Sequence, residues 1–538
     1  MEKTPEAADD HGEAEPPSHA GVLRVALSHL GRVLQQQAVE QRCERLRTPR
    51  FKLSAADRHA RFLRKRAKFA SLADEAVVEL RARTERRWGD TLLSEDSMRT
   101  TSTLLLTGTA LFTATAVLAQ AEAGAGPDVL KEDRGRQGVE VVGHVLKPMP
   151  LEWSEERMRG LALPDGFSIG VWADKLENAR MMDIAQDGTV YLTRRESGDV
   201  LMLRDTNRDG KADRRQVVAR KEQMHGIEID GDRVYLVTVK EVLVADRRRD
   251  GTLGPLRVIV DDLPDGGQHP NRMVVKGPDG KLYVSVGSTC NACDETNDEN
   301  ATIVSMNTDG SGRAIHASGL RNTIGYGFEP TSGQLYGFDH GIDWLGDNEQ
   351  HEEFNQIAAG QRYGWPYVYA LSRFNPQDVP PKGQTFSQWA ASSREPIGLY
   401  TPHAAPMQMV FNRGNAFPRD YSGDAFIAMR GSWNRQPPSG FEVARVDFEN
   451  GRPVAIKPFL TGFLVKDRSS PTGWSAMGRL AGMAQGPDGA LYLSDDTNGI
   501  IYRITYDDSR AADRPEPRIT NADARELNIG MVEDRSGG

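Results

Sequence analysis

GPDGKLYVS at Gly277–Ser285 returns as GPDGALYLS at Gly486–Ser494. Each copy is a tight turn followed by a strand of alternating apolar residues. Four weaker copies share the shape: QDGTVYL around Tyr191, DGDRVYL around Tyr235, TSGQLYG around Tyr336 and YSGDAFI around Phe426. The steps between the six aromatic residues are 44, 48, 53, 90 and 66 residues. A turn feeding an alternating strand, repeated at roughly 40–50 residues, is the sequence mark of a β-propeller blade. The pattern predicts an all-β, six-bladed β-propeller over residues 163–506. Function is then expected at one mouth of the central channel, where loops of several blades meet.

The composition supports this. Of 538 residues, 53 are Gly and 29 are Pro, which suits a chain rich in turns. The net charge of −9 gives the chain no nucleic-acid footprint. Cys43 stands alone, and Cys290 and Cys293 form TCNAC. Two cysteines do not make a four-ligand zinc site, and Asp294 rather than His follows Cys293, so covalent haem attachment is unsupported. The plain reading of the pair is a small-loop disulfide in an oxidising compartment.

Residues 1–97 read as a charged helical extension with a disordered start. Residues 1–20 are polar and acidic, whereas Leu23, Ala26, Leu27 and Leu30 are spaced as on a helix. Arg61–Lys68 carries five basic residues in eight and reads as a solvated helix face. Residues 98–121 have a basic start, an apolar run and an Ala119-Gln120-Ala121 ending, the layout of a signal peptide. Either Met98 opens the exported chain, or the segment anchors a longer chain through residues 100–121. Both readings put the propeller in the periplasm, outside the cell, or outside the membrane. Residues 122–162 read as a linker and lead-in strand, and 507–538 as a flexible tail. The long step after Tyr336 marks an insertion, Asp339–Pro402, of a length usually tied to function.

Three groups of residues suggest chemistry. DTNRDGKAD at Asp205–Asp213 spaces oxygens as a calcium loop does, with Asp205, Asn207, Asp209 and Asp213 binding through side chains and Lys211 through its carbonyl. It has no Glu at the twelfth position, and an ordinary acidic turn is the alternative. His269 precedes the first strand of a blade, in a loop with Gly266, Gly267 and Pro270, where an imidazole can take a proton near neutral pH. Arg321 with Asn322, and Arg479, hold matching positions in two other blades. Alone, each Arg reads as a surface ion pair. Together with His269 they predict a cationic cavity suited to a small polyanion.

GQHPNR, GLRN, FDHGIDWLGDNEQHEEFNQI with RYGWP, MRGSWNR and GRLAG–PDG together resemble the soluble quinoprotein glucose and sorbosone dehydrogenases, particularly the sorbosone-dehydrogenase-like branch. The resemblance spans about residues 163–506. It implies a six-bladed propeller holding pyrroloquinoline quinone (PQQ) and calcium. By it, His269 matches the catalytic base, and Arg321, Asn322 and Arg479 match cofactor contacts. Arg435 or Arg430 stands where the family has a cofactor-facing lysine. Gly341 and Ile342 match the carbonyls on the cofactor's calcium, and Glu353 and Tyr363 match ligands of a structural calcium pair. Three positions depart. Ser288 replaces the Asp that orients the base, leaving Asp294 or Glu295 as substitutes. The second late arginine falls on Ala481. The early glutamine has only Gln223 and His225 nearby.

The resemblance implies a PQQ-dependent dehydrogenase oxidising a sugar, a sorbosone-like sugar aldehyde or a polyol. Electrons would pass to an external acceptor such as a cytochrome or a quinone. Two other classes remain open: a calcium-dependent lactonase-type propeller and a non-catalytic binding propeller.

Overall fold

The glycine of each motif copy decides the turn. Gly188, Gly231, Gly280, Gly333, Gly423 and Gly489 all have φ between 59° and 81°, a conformation that glycine adopts without steric cost. In the computed structural model, which describes residues 141–509, 517–518 and 530–532, each turn joins the first and second strands of an antiparallel sheet. The six aromatic residues all lie on second strands: Val190–Arg194, Arg233–Val237, Leu282–Val286, Leu335–Asp339, Ala425–Met429 and Leu491–Asp495.

Sheet 1 covers residues 182–220, sheet 2 226–260, sheet 3 274–318, sheet 4 323–400 and sheet 5 406–460. Sheet 6 covers 480–506 and takes its outer strand from Phe167–Ala173, which pairs antiparallel with Ile500–Tyr506. First strands of neighbouring sheets lie against one another: sheet 1 on 2, 2 on 3, 4 on 5, 5 on 6, and 6 on 1. The approach is close enough to demand glycine. A Cβ on Gly325 would sit 2.0 Å from the Met407 carbonyl oxygen, and one on Gly482 would sit 2.1 Å from that of Arg180.

Between sheets the motif aromatics fill the core. Tyr283 packs edge-on against Phe328 at 5.0 Å, and Tyr336 against Phe448 at 5.2 Å. Burying such a ring stabilises the fold by roughly 1.5–3 kcal/mol. First strands are sheet edges, and their free N–H groups need partners. Side chains of neighbouring sheets supply them. Asp183 accepts from Ile229 N at 2.6 Å, Glu228 from Lys276 N at 3.1 Å, and Gln408 from both Met182 N and Met483 N at 3.1 Å.

The insertion supplies the third and fourth strands of sheet 4, Glu352–Ile357 and Gly398–Tyr400. Between them it adds a parallel fifth strand to sheet 3 (Gln361–Arg362) and a helix, Phe386–Ala391, capped by Thr385 and Gln388. One expectation is corrected. Within the stretch expected to be a flexible tail, Gly530–Met531 pairs with Gly398–Leu399 as a fifth strand of sheet 4, and Val532 N bonds Ile397 O at 2.9 Å. The expected helical extension, the export segment and residues 122–140 of the linker lie outside the described residues. Among the described residues no helix is long and apolar enough to cross a membrane.

Candidate active site

An antiparallel hairpin brings the start of its first strand and the end of its second to one rim. Arg180, His225, His269, Arg321 and Arg479 precede first strands, while Arg195, Ser288, His340, Arg430 and Asp496 follow second strands. The structure therefore gathers on one rim residues scattered from 180 to 496.

His269 is buried, at 9% exposure. Its Nδ1 faces the Ser288 carbonyl at 2.9 Å and Ser288 Oγ at 2.8 Å, and Ser288 Oγ donates onward to the Cys290 carbonyl at 2.8 Å. Both Ser288 oxygens then act as acceptors, so the proton sits on Nδ1 and the Nε2 lone pair is left to take another. Burial, and next the charge of Arg321, push this imidazole down to about 2 and keep it neutral. The expectation that Asp294 or Glu295 orients the base is corrected. Asp294 accepts from Tyr367 OH, and Glu295 binds Thr289 N and Oγ1 at 2.7 and 2.6 Å. Ser288 itself fills the role.

Arg321 is fixed by Asp343 (2.9 Å) and by Asn291, whose carbonyl takes Nε at 2.9 Å and whose Oδ1 takes an Nη at 2.7 Å. Asp339 accepts the backbone N–H groups of Arg321 and Asn322, both at 2.8 Å. The Asn322 side chain lies beside Gly287 and the His269 backbone; a Cβ on Gly287 would be 3.0 Å from Asn322 Oδ1 and 2.7 Å from His269 Cβ.

Beyond His340 the rim is dominated by arginine. Arg180 and Arg430 both bind Asp496, at 2.5 and 2.9 Å, and Arg180 also reaches His225 Nε2 at 3.2 Å. Among the described residues the Arg479 guanidinium bonds only the carbonyls of Gly431 (2.7 Å) and Arg430 (3.5 Å), while its backbone N–H donates to Asp495 at 3.0 Å. Arg195 Nε is buried and has no hydrogen-bond partner among the described residues. Burial, and then the charge of Arg430, push Arg479 down to about 9. Burial and Arg180 push His225 well below its ordinary value. Burial would raise Asp496, yet Arg430 and Arg180 hold it low. Arg180 and Arg430 thus share the carboxylate of Asp496, with the guanidinium groups of Arg479 and Arg195 bonded to no carboxylate among the described residues.

Arg435 is elsewhere. Its guanidinium is spent on the Asp347 carbonyl (2.8 Å), Asn348 Oδ1 (3.1 Å) and the Pro437 carbonyl (2.5 Å). The position expected of Arg435 or Arg430 therefore goes to Arg430, a correction made by where the two side chains point. Arg180 and Arg195 were missed in the sequence. Arg180 carried a usable signal, standing just ahead of a first strand as Arg321 and Arg479 do.

The expected metal positions separate. Gly341 and Ile342 follow His340; their N–H groups are held by Glu352 (3.0 Å) and Gln350 (2.8 Å), while no hydrogen bond among the described residues ends on their carbonyls. Gly341 lines the same small cavity as Glu353, Tyr363, Asp339 and Gln350, with about 10 Å³ for the centre of a water-sized particle, so it is the loop at Asp205–Asp213 that stands apart. Burial pushes Glu353 up to about 8. In the loop at Asp205–Asp213 the turn forms, with Gly210 at φ 86°. Asp205 accepts from Asp209 N and Gly210 N, Asn207 from Asp209 N, and Asp209 from Lys211 N. Asp213 instead binds Thr206 N and Oγ1, and the three carboxylates do not gather within 4.8 Å of one another. The loop's oxygens serve backbone amides and Thr206, and the carboxylates are not drawn together around one point.

A TrAA12-like family model matches residues 161–507. An uncharacterized protein of Borreliella burgdorferi is 29% identical over 373 residues, 66% of this chain and 93% of that one. A pyrroloquinoline quinone-dependent pyranose dehydrogenase of Coprinopsis cinerea is 32% identical over 136 residues, 23% of this chain and 18% of that protein. Among solved structures, the holo PQQ domain of the Coprinopsis cinerea pyranose dehydrogenase aligns with TM-score 0.56 and 22% identity, over 66% of this chain and 98% of that one. The calcium structure of a Trichoderma reesei carbohydrate-active enzyme of family AA12 aligns with TM-score 0.57 and 19% identity, over 65% and 98%. At such identities the solved structures speak for a shared fold.

Proposed function

Because the chain belongs to the TrAA12-like family, among the soluble PQQ-dependent sugar dehydrogenases, we propose that it oxidises a sugar, a sorbosone-like sugar aldehyde or another polyol with PQQ and calcium. The observation that carries the reading is the charge balance of the rim. Arg180 and Arg430 share the carboxylate of Asp496, the Arg479 guanidinium bonds only carbonyls, and Arg195 Nε has no partner among the described residues. Such a site suits a compact polyanion, and the three carboxylates of PQQ supply the missing charge. Arg479 and Arg430 would hold those carboxylates, with Arg321 and Asn322 contacting the cofactor beside His269. Gly341 and Ile342 would give carbonyl oxygens to calcium, a hard cation that takes oxygen ligands. Glu353 and Tyr363 would serve a separate structural ion.

PQQ, when bound, is the two-electron acceptor for the hydride of a substrate CH–OH. The chain's own part is the proton. Nε2 of His269 takes it from the substrate hydroxyl, and Ser288 holds the ring in the tautomer that can accept. Trp344, 48% exposed and packed edge-on against Trp433, follows Asp343 at this rim and offers an apolar face to a sugar ring. The six sheets are read as the blades of a closed propeller, with Phe167–Ala173 completing the last. The Cys290–Cys293 disulfide supports placing the protein outside the cytoplasm, where an external cytochrome or quinone would take the electrons.

The test is reconstitution. Purified protein titrated with PQQ in the presence of calcium should bind it, and the loaded protein should reduce an artificial electron acceptor with a sugar or sugar aldehyde. Absence of PQQ binding with calcium present would reject the enzyme and leave a binding propeller.

A further inference from the structure

The loop closed by the Cys290–Cys293 disulfide touches both halves of the proposed site. Asn291 makes four contacts. Its carbonyl accepts from Arg321 Nε at 2.9 Å and from Trp365 Nε1 at 3.2 Å. Its Oδ1 accepts from an Arg321 Nη at 2.7 Å and from Asp343 N at 2.9 Å. One residue earlier, the Cys290 carbonyl receives the Ser288 hydroxyl whose oxygen faces His269. Cys290 and Ala292 pack against Ile342 and Trp365. The loop has no strand or helix of its own, so its shape rests on the side-chain bonds just described and on the cross-link. We propose that Asn291 is a positioning residue for Arg321, and that the disulfide holds Asn291 and the Ser288–His269 pair in register, making the site sensitive to reduction.

This rests on the reading of His269 and Arg321 as base and cofactor contact. The redox step is thiol–disulfide exchange with an external dithiol. The S–S bond breaks, Cys290 and Cys293 each gain a hydrogen, and the dithiol leaves as its own disulfide, two electrons and two protons having passed to the protein. Both cysteines are half-buried and within reach of a small reagent. A loop this short constrains the unfolded chain least, so reduction should change the site more than the stability of the fold.

The experiment compares oxidised, dithiothreitol-reduced and re-oxidised protein. Three readings are taken: the ¹⁵N shifts of the His269 ring without cofactor, the PQQ dissociation constant with calcium, and the melting temperature. Reduction should remove the single Nδ1–H tautomer signature of His269. It should also weaken PQQ binding by about tenfold, move the melting temperature little, and be undone by re-oxidation. Asn291→Ala in oxidised protein should weaken PQQ binding by a similar factor, and Asn291→Asp, which keeps both acceptor oxygens, should restore it. Unchanged His269 shifts and unchanged PQQ affinity on reduction would overturn the proposal, as would Asn291→Asp behaving like Asn291→Ala. If oxidised wild-type protein does not bind PQQ, the functional reading fails instead, and the His269 shifts alone then decide whether the loop sets the imidazole.

Discussion

Removing the imidazole of His269 should separate binding from turnover. A base acts mainly in the transition state, so His269→Ala should keep PQQ affinity and lose about 10²–10⁴ in kcat. Titration and steady-state assay of the same preparation check it; a normal kcat would return the base to another residue. The arginines should divide in a different way. Arg430→Ala removes a charge beside Arg479 and Asp496 and should weaken PQQ binding by about tenfold or more. Arg435→Ala strips three bonds from a loop away from that charge cluster, so it should lower the melting temperature and leave PQQ affinity alone. Equal affinity losses in the two variants would show that the choice between them is wrong. The sequence offered both residues in MRGSWNR, but only the fold shows which turns toward Asp496. The same holds for Ser288. Its departure from the family's Asp was visible in the chain, whereas its hydroxyl bridge from His269 to Cys290 was not.

At the scale of the strand, the edge-capping carboxylates leave a trace in stability. Asp183 on the first strand of sheet 1 and Glu228 on that of sheet 2 are half-buried where the two sheets meet. Burial, opposed by the amides of Ile229 and Ile184 and by Arg413, pushes Asp183 up to about 6. Burial and the neighbouring Asp183 push Glu228 well above its ordinary value, with the Lys276 amide and Arg413 opposing and Asp230 adding. Groups raised on folding bind more protons in the native state than in the unfolded chain. Their stabilisation is therefore present below the unfolded value and lost as pH rises from about 4 through the folded values. Glu228→Gln keeps an oxygen for Lys276 N and ends the repulsion with Asp183. Its melting temperature should fall less than that of wild type between about pH 4 and pH 7, and an unchanged slope would refute the assignment. The strands themselves were legible from turn glycines and alternation. The caps were not, because Asp183 and Glu228 look like any polar residue in an alternating pattern until two sheets meet.

At the scale of the molecule, calcium should act through the whole fold. A cation held by the Gly341 and Ile342 carbonyls binds the native state alone, so saturating calcium should raise the melting temperature of cofactor-free protein, by about 2.7 kcal/mol in stability at a hundredfold excess over Kd. A melting curve indifferent to calcium and to chelator would remove these carbonyls as ligands. The all-β class and the run of six motif copies could be read from the chain because each depends on neighbours in sequence. Gly530–Met531 on sheet 4 and Phe167–Ala173 on sheet 6 could not, since their partners lie far away along the chain. That last pairing also bears on the order in which the protein is made. The strand at 167–173 emerges before any of the other sheets, yet its partner, Ile500–Tyr506, follows all of them in the chain. Until then sheet 6 cannot exist, and neither can the contacts of Arg479 and Asp496 with Arg430 and Arg180. A growing chain therefore carries five sheets and an incomplete rim until that strand arrives. Pairings this distant form slowly, so the rim's arginine cluster is expected to be among the last parts of the protein to take shape.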